Sequence, residues 1–275
     1  MNYRVGMAQT LVEGGEPVAN LRRAADAIHR AAEQGCRLVM LPECLDLGWT
    51  DPSARDRAQP IPGPHVDLLA NVARNSGTFV AAGLVERAGV RLYNAAVLIA
   101  PTGELLLHHR KLNELDIALD LYSTGDRLGV VETELGTLGL AICADNFGSS
   151  LAVGHVLARM GAQVILSPSA WAVDADHDNA RDPYGKLWRD SYTELTRLYD
   201  VTVIGVSNVG PMTGGPWAGR KCIGCSLAVG PGGAVLAEGP YAAEAVVSVD
   251  VAPRPPVARG TGFAVALEAR GYRGP

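Results

Sequence analysis

The chain has 275 residues, 48% of them hydrophobic and 19% charged, with a net charge of −5. That is enough chain for one large core, and no basic stripe or block is present to attract nucleic acid or an anionic membrane surface. No stretch reaches the roughly 18 apolar residues of a membrane span, the opening residues lack the apolar run of a signal peptide, and the five cysteines read as free thiols of a reducing compartment, so a cytoplasmic location is expected.

In chain order, residues 3–10 are predicted as a strand and 18–34 as an amphipathic helix. The helix carries Val18, Leu21, Ala25, Ile28 and Ala32 at helical spacing and has Gly35 just past its end. Residues 37–41 are a short apolar run, read as a buried strand that stops at Pro42-Glu43. A second helix over 66–75 stops at Gly77. Strands are predicted at 79–85 and 92–100, joined around Gly89, and at 105–109 after the Thr102-Gly103 turn. Residues 130–133 and 138–143 are strands around Leu135-Gly136. Helix 150–160, strand 164–167, helix 184–199 and strand 202–207 continue the alternation. Strands 226–229 and 234–237 flank Gly230-Pro231-Gly232-Gly233, a hairpin signal, and 246–251 is the last strand. Helices interleaved with strands, hairpins included, predict an α/β domain of mixed sheets with helices outside. It should occupy residues 1–253, with 254–275 as a C-terminal arm or tail.

Three residues with useful chemistry stand at the ends of apolar strands, where a rigid backbone can project a side chain into a cleft. Glu43 follows Leu38-Val39-Met40-Leu41-Pro42, Lys111 ends His108-His109-Arg110-Lys111, and Cys143 ends Gly139-Leu140-Ala141-Ile142-Cys143. Singly, each also reads as something ordinary: a loop carboxylate, a solvated basic run, a small core thiol. In combination they resemble the nitrilase superfamily of carbon–nitrogen hydrolases, in which a Glu, a Lys and a Cys follow one another in this order. Leu41-Pro42-Glu43, Arg110-Lys111-Leu112 and Gly139-Leu140-Ala141-Ile142-Cys143-Ala144-Asp145 match its three motifs. Val5-Gly6-Met7-Ala8-Gln9, Tyr93-Asn94-Ala95-Ala96, Gly125-Asp126, Ser167-Pro168-Ser169-Ala170-Trp171, Ser207-Asn208 and Gly224-Cys225-Ser226 extend the likeness across the chain.

The resemblance implies a four-layer α-β-β-α sandwich of two mixed sheets with helices outside. It implies hydrolysis of an amide or N-carbamoyl bond of a small molecule, with Cys143 as nucleophile, Glu43 as proton shuttle, and Lys111 with the Ala144 N–H stabilising the oxyanion. No metal or organic cofactor is implied. The same residues would also serve acyl transfer, cyclisation or a nitrile substrate, and a non-catalytic binding protein could keep the fold. The family's second glutamate is matched imperfectly: Glu114 keeps the residue type, while Asp120 lies closer to the family's turn. Asp120, Trp171, Asn146 and Ala144 are the implied substrate-binding positions. A homodimer or larger homo-oligomer is implied, with contacts carried by 151–160 and 184–199.

Two departures stand out. Tyr199 occupies a position where many members carry a glutamate, and Ala144-Asp145-Asn146-Phe147 lacks the arginine that commonly follows the nucleophile. With that arginine missing, and acids at Glu114, Asp116, Asp120, Asp174, Asp176 and Asp178, a neutral or cationic amide is expected. Cys222-Ile223-Gly224-Cys225 is half a zinc site without a second ligand pair. His108 and His109 are expected on opposite faces of a strand rather than paired with Cys143. The Gly-rich 210–216 segment lacks a phosphate loop's lysine and is expected as a loop at the cleft mouth.

Overall fold

The computed structural model describes residues 2–258, 265, 268 and 269. Its first half holds β1 (Tyr3–Gln9), α1 (Pro17–Glu33), β2 (Leu38–Met40), α2 (Ala54–Arg57), α3 (Pro64–Ser76), β3 (Phe79–Ala88), β4 (Arg91–Ile99) and β5 (Leu105–Arg110). The second half holds β6 (Val130–Thr133), β7 (Gly136–Leu140), α4 (Ala152–Arg159), β8 (Val164–Ser169), β9 (Ala172–Val173), α5 (Lys186–Tyr199) and β10 (Thr202–Ser207). It closes with β11 (Val209–Pro211), β12 (Lys221–Ile223), β13 (Leu227–Gly230), β14 (Ala234–Glu238) and β15 (Ala245–Val251).

Two six-stranded sheets form, in the orders β15-β1-β2-β3-β4-β5 and β14-β13-β10-β8-β7-β6. Both are mixed. β1, β2 and β3 pair in parallel in the first, and β7, β8 and β10 in the second, while the flanking pairs are antiparallel. Strand alternation divides the side chains between layers. Met7, Met40, Ala81 and Leu98 of sheet one join the core shared with sheet two, while Ala8, Val39, Val80, Ala82 and Val97 pack with α1 and α3. On the far side, Leu157 of α4 and Trp188, Tyr192 and Leu195 of α5 close sheet two. The result is the four-layer α-β-β-α sandwich.

The helical stripe of α1 differs from its expected phase. Val18 is 84% exposed, while Leu21, Ala24, Ala27, Ile28 and Ala31 are buried. Val18 sits in the first turn, beside Pro17; about 1.5–3 kcal/mol of burial per large aliphatic side chain is realised only further along. The small third sheet, β11-β12-β9, and the single turn α2 were not expected. Their two- to four-residue lengths leave no period to read. From the expected C-terminal arm, Val257 donates its N–H to the Tyr199 carbonyl at the end of α5 (2.8 Å). Residues 259–264, 266, 267 and 270–275 of that arm lie outside the described residues.

Candidate active site

The parallel strands of both sheets deliver their C-terminal ends to one side of the sandwich, a common place for a site in α/β sheets. Pro42 removes a backbone donor just after β2 and ends its ladder. The chain then turns, and the Glu43 N–H crosses to the Ser169 carbonyl of β8 (3.2 Å). Lys111 follows β5, its N–H held by the Asn94 carbonyl of β4 (2.9 Å). Cys143 opens a 3₁₀ turn after β7 with φ of 42°, a left-handed conformation that costs a non-glycine residue energy and is found at functional sites.

Glu43, Lys111, Cys143 and Glu114 meet in the interior; the first two are 1% exposed and the last two 8%. Lys111 Nζ donates to Glu43 Oε1 (2.7 Å) and lies 3.6 Å from Glu114 Oε2. The Trp49 ring stands 5.8 Å from the same ammonium, a cation–π contact that favours its charge. Burial opposes that charge, but Glu114, Glu43 and Cys143 outweigh it and hold Lys111 well above its ordinary value. Burial, then the Glu43 charge, push the Cys143 thiol well up, against the pull of Lys111. The resting thiol is therefore neutral and requires a base. Among the described residues neither buried carboxylate oxygen of Glu114 has a hydrogen-bond partner, and desolvation, resisted by Lys111, pushes it up to about 7.

The other expected positions divide. Ala144 lies beside Cys143, buried, its carbonyl accepting from Asn113 Nδ2 (2.7 Å) and Ser150 Oγ (2.5 Å). Asn146 is buried behind the turn, where Nδ2 donates to Ser167 Oγ (3.0 Å) and the Ala141 carbonyl (3.4 Å). Trp171 is wholly buried, with its ring stacked 4.9 Å from Trp188 of α5. Asp120 is not brought in. It is exposed, and its carbonyl accepts from Arg55, whereas Glu114, three residues from Lys111, turns inward.

Three buried polar residues escaped sequence reasoning. Asn94 donates to Glu43 Oε1 (2.6 Å), and an asparagine amid the apolar run of β4 was the available signal, since buried amides need partners. His109 and Asp145 form a buried pair at 2.8 Å. His108 points to the other face and meets Glu86 (2.9 Å), as strand alternation predicts. The acidic loops carry less net charge than expected, because Asp174 pairs with Arg220 (3.1 Å), whose guanidinium lies 4.3 Å from the Trp217 ring. Pro211, Met212, Thr213 and Gly214 of the 210–216 segment line a small open pocket with Trp49 and Asp51.

The family described as carbon–nitrogen hydrolase matches residues 4–254. Among curated relatives, omega-amidase NIT2 of Xenopus tropicalis is 32% identical over 181 residues, covering 62% of this chain and 64% of that protein. The chain thus spans somewhat under two thirds of that relative's length. A nitrilase of Pyrococcus abyssi is 33% identical over 80% of this chain and 79% of its own. An amidase from Nesterenkonia sp. superposes with a TM-score of 0.77 at 24% identity, covering 91% of this chain and 90% of that one. A mutant of the Nesterenkonia amidase shows covalent addition of the acetamide moiety of fluoroacetamide at its active site cysteine. At these identities the structural likeness establishes the fold.

Proposed function

Since the chain belongs to the carbon–nitrogen hydrolase family, we propose that it hydrolyses the amide carbon–nitrogen bond of a small molecule through a thioester on Cys143. The observation that carries this reading is the buried meeting of Glu43, Lys111 and Cys143 at converging strand ends. Glu43 takes the thiol proton as Cys143 Sγ attacks the carbonyl carbon. The resulting oxyanion is met by the Lys111 ammonium and the Ala144 N–H. Collapse breaks the carbon–nitrogen bond, and Glu43 returns its proton to the departing nitrogen. A water, deprotonated by Glu43, then attacks the thioester, releases the carboxylic acid and restores the thiol. Asn94 steers the Glu43 carboxylate and Glu114 holds Lys111 from its far side.

The test is intact-protein mass spectrometry with a panel of amides, carbamoyl compounds and nitriles, followed by peptide mapping. The expected result is an acyl adduct on Cys143 that decays with release of acid and ammonia or amine. Cys143→Ala should abolish adduct and turnover. Residual turnover above about a hundredth of wild type would overturn the assignment. The nitrile arm answers the nitrilase among the relatives: adducts from nitriles alone would replace the amide reading.

The proposed assembly is a homodimer through α4 and α5, supported by Val156, Met160 and Leu187, each 43–44% exposed on their outer faces. Among the described residues no helix is long and apolar enough to cross a membrane. All five cysteines are free, which fits a reducing compartment and hence the cytoplasm.

A further inference from the structure

Lys111 and Cys143 belong to different sheets. Lys111 leaves β5 at the edge of sheet one, and Cys143 leaves β7 of sheet two. Any chemistry that uses both depends on how those two strand ends are spaced, and facing sheets are free to slide unless something ties them. Beside the bond from the Glu43 N–H to Ser169, one buried carboxylate ties these two strand ends directly. Asp145 Oδ1 accepts the backbone N–H groups of Leu112 (3.0 Å) and Asn113 (2.8 Å), the two residues after the lysine. Asp145 Oδ2 accepts the N–H of Ile142 (2.9 Å), the residue before the nucleophile, and faces His109 Nε2 (2.8 Å) on β5. Asn113 Nδ2 crosses the other way to the Ala144 carbonyl (2.7 Å).

Asp145 is 0% exposed and His109 4%, so these bonds are made without competition from water. His109 Nε2 faces a carboxylate oxygen, which can only accept, so Nε2 is the donor of that bond. The strained φ of Cys143 lies inside the loop that the Ile142 bond closes. We propose that Asp145, with His109 behind it, is the positioning residue that fixes Lys111 against Cys143 across the gap between the sheets. The clasp rests on the reading of Lys111 and Cys143 as working partners. It requires a carboxylate, because only two acceptor oxygens can hold the lysine side and the nucleophile side at once. An amide has one acceptor oxygen, so Asp145→Asn keeps the volume and the burial but releases one side.

The test compares full-length wild type with Asp145→Asn, His109→Gln and His109→Phe. Sites are first counted by iodoacetamide labelling of Cys143, so that loss of folded protein is separated from loss of rate per site. With the clasp released, the expected outcome for Asp145→Asn is a kcat per labelled site at least about tenfold lower with KM nearly unchanged. The labelling midpoint should move up by at least about half a pH unit, because Lys111 no longer holds its place beside the thiol. His109→Gln, which still offers an N–H to Asp145, should keep the wild-type midpoint, while His109→Phe should move it in the same direction as Asp145→Asn. The midpoint decides: an Asp145→Asn midpoint equal to wild type overturns the proposal, whatever happens to yield or melting temperature. Labelling alkylates the thiol at the iodomethyl carbon and cleaves no carbon–nitrogen bond, so a wild type that hydrolyses no amide would remove the functional reading and still leave the clasp decided.

Discussion

Lys111 stands between two carboxylates and stays an ammonium, since its surroundings hold it well above its ordinary value. Its ammonium is buried beside Glu43 and Glu114. Lys111→Met should lower kcat by about a hundredfold, the usual scale for removing an oxyanion donor, and steady-state kinetics would read it. A kcat near wild type would leave Lys111 a purely structural partner of Glu43. Glu114 is different, because burial brings it up to about 7. Below that value it is protonated and withdraws its charge from Lys111; above it the charge is restored. The expected kcat/KM therefore rises as pH increases through about 7. Glu114→Gln, fixed in the neutral form, should lose that limb and run at the low rate throughout. A rising limb that survives in the variant would belong to another group.

At the scale of elements, the Glu43 bend is shaped by its neighbour β3. Gly83 donates its N–H to the Pro42 carbonyl (2.9 Å) and accepts from the Leu45 N–H (2.9 Å), so strand and bend lie backbone to backbone. A Cβ at Gly83 would fall 2.5 Å from Glu43 Cα and 2.7 Å from the Pro42 carbonyl oxygen. Neither atom is the end of a flexible side chain, so the backbone must move. Gly83→Ala should cost about 1–3 kcal/mol, as overpacking does, and should lower kcat by displacing the carboxylate. A thermal melt and a rate assay on the same sample would check both. Unchanged values would mean that the bend adapts. Buried carboxylates pin the neighbouring segments in a similar way: Asp46 accepts from the Leu47 and Val85 N–H groups and meets His65, and Glu86 accepts from Arg110 and meets His108.

At the scale of the whole molecule, exposed large apolar side chains occur on several elements among the described residues, and three of them lie at α4 and α5. Leu157 and Leu195 face inward while Val156, Met160 and Leu187 remain exposed, and apolar groups gathered on one face favour association. Light scattering at micromolar concentration should give a dimer mass, and Val156→Glu with Met160→Lys should shift it to monomer. A monomer mass for the wild type would remove the proposed interface.

The sequence by itself determined the alternation of helices and strands, the mixed-sheet α/β class and the three motifs ending at Glu43, Lys111 and Cys143. Each of these depends on local pattern: near-continuous apolar runs in β3 and β4, period 3.6 in α5, and Pro42 or a turn stopping a strand. Tertiary structure decided what depends on distance across the fold. Glu114 rather than Asp120 reaches Lys111, because the chain after β5 turns one acid inward and leaves the other in solvent. Trp171 stacks on Trp188 of α5 within the core, and Val18, which the helical period assigned to the buried face, is exposed. The spacing of Lys111 and Cys143 depends on contacts between residues 30 or more apart in sequence, such as Leu112 with Asp145, and no local periodicity records which buried carboxylate will meet which backbone N–H.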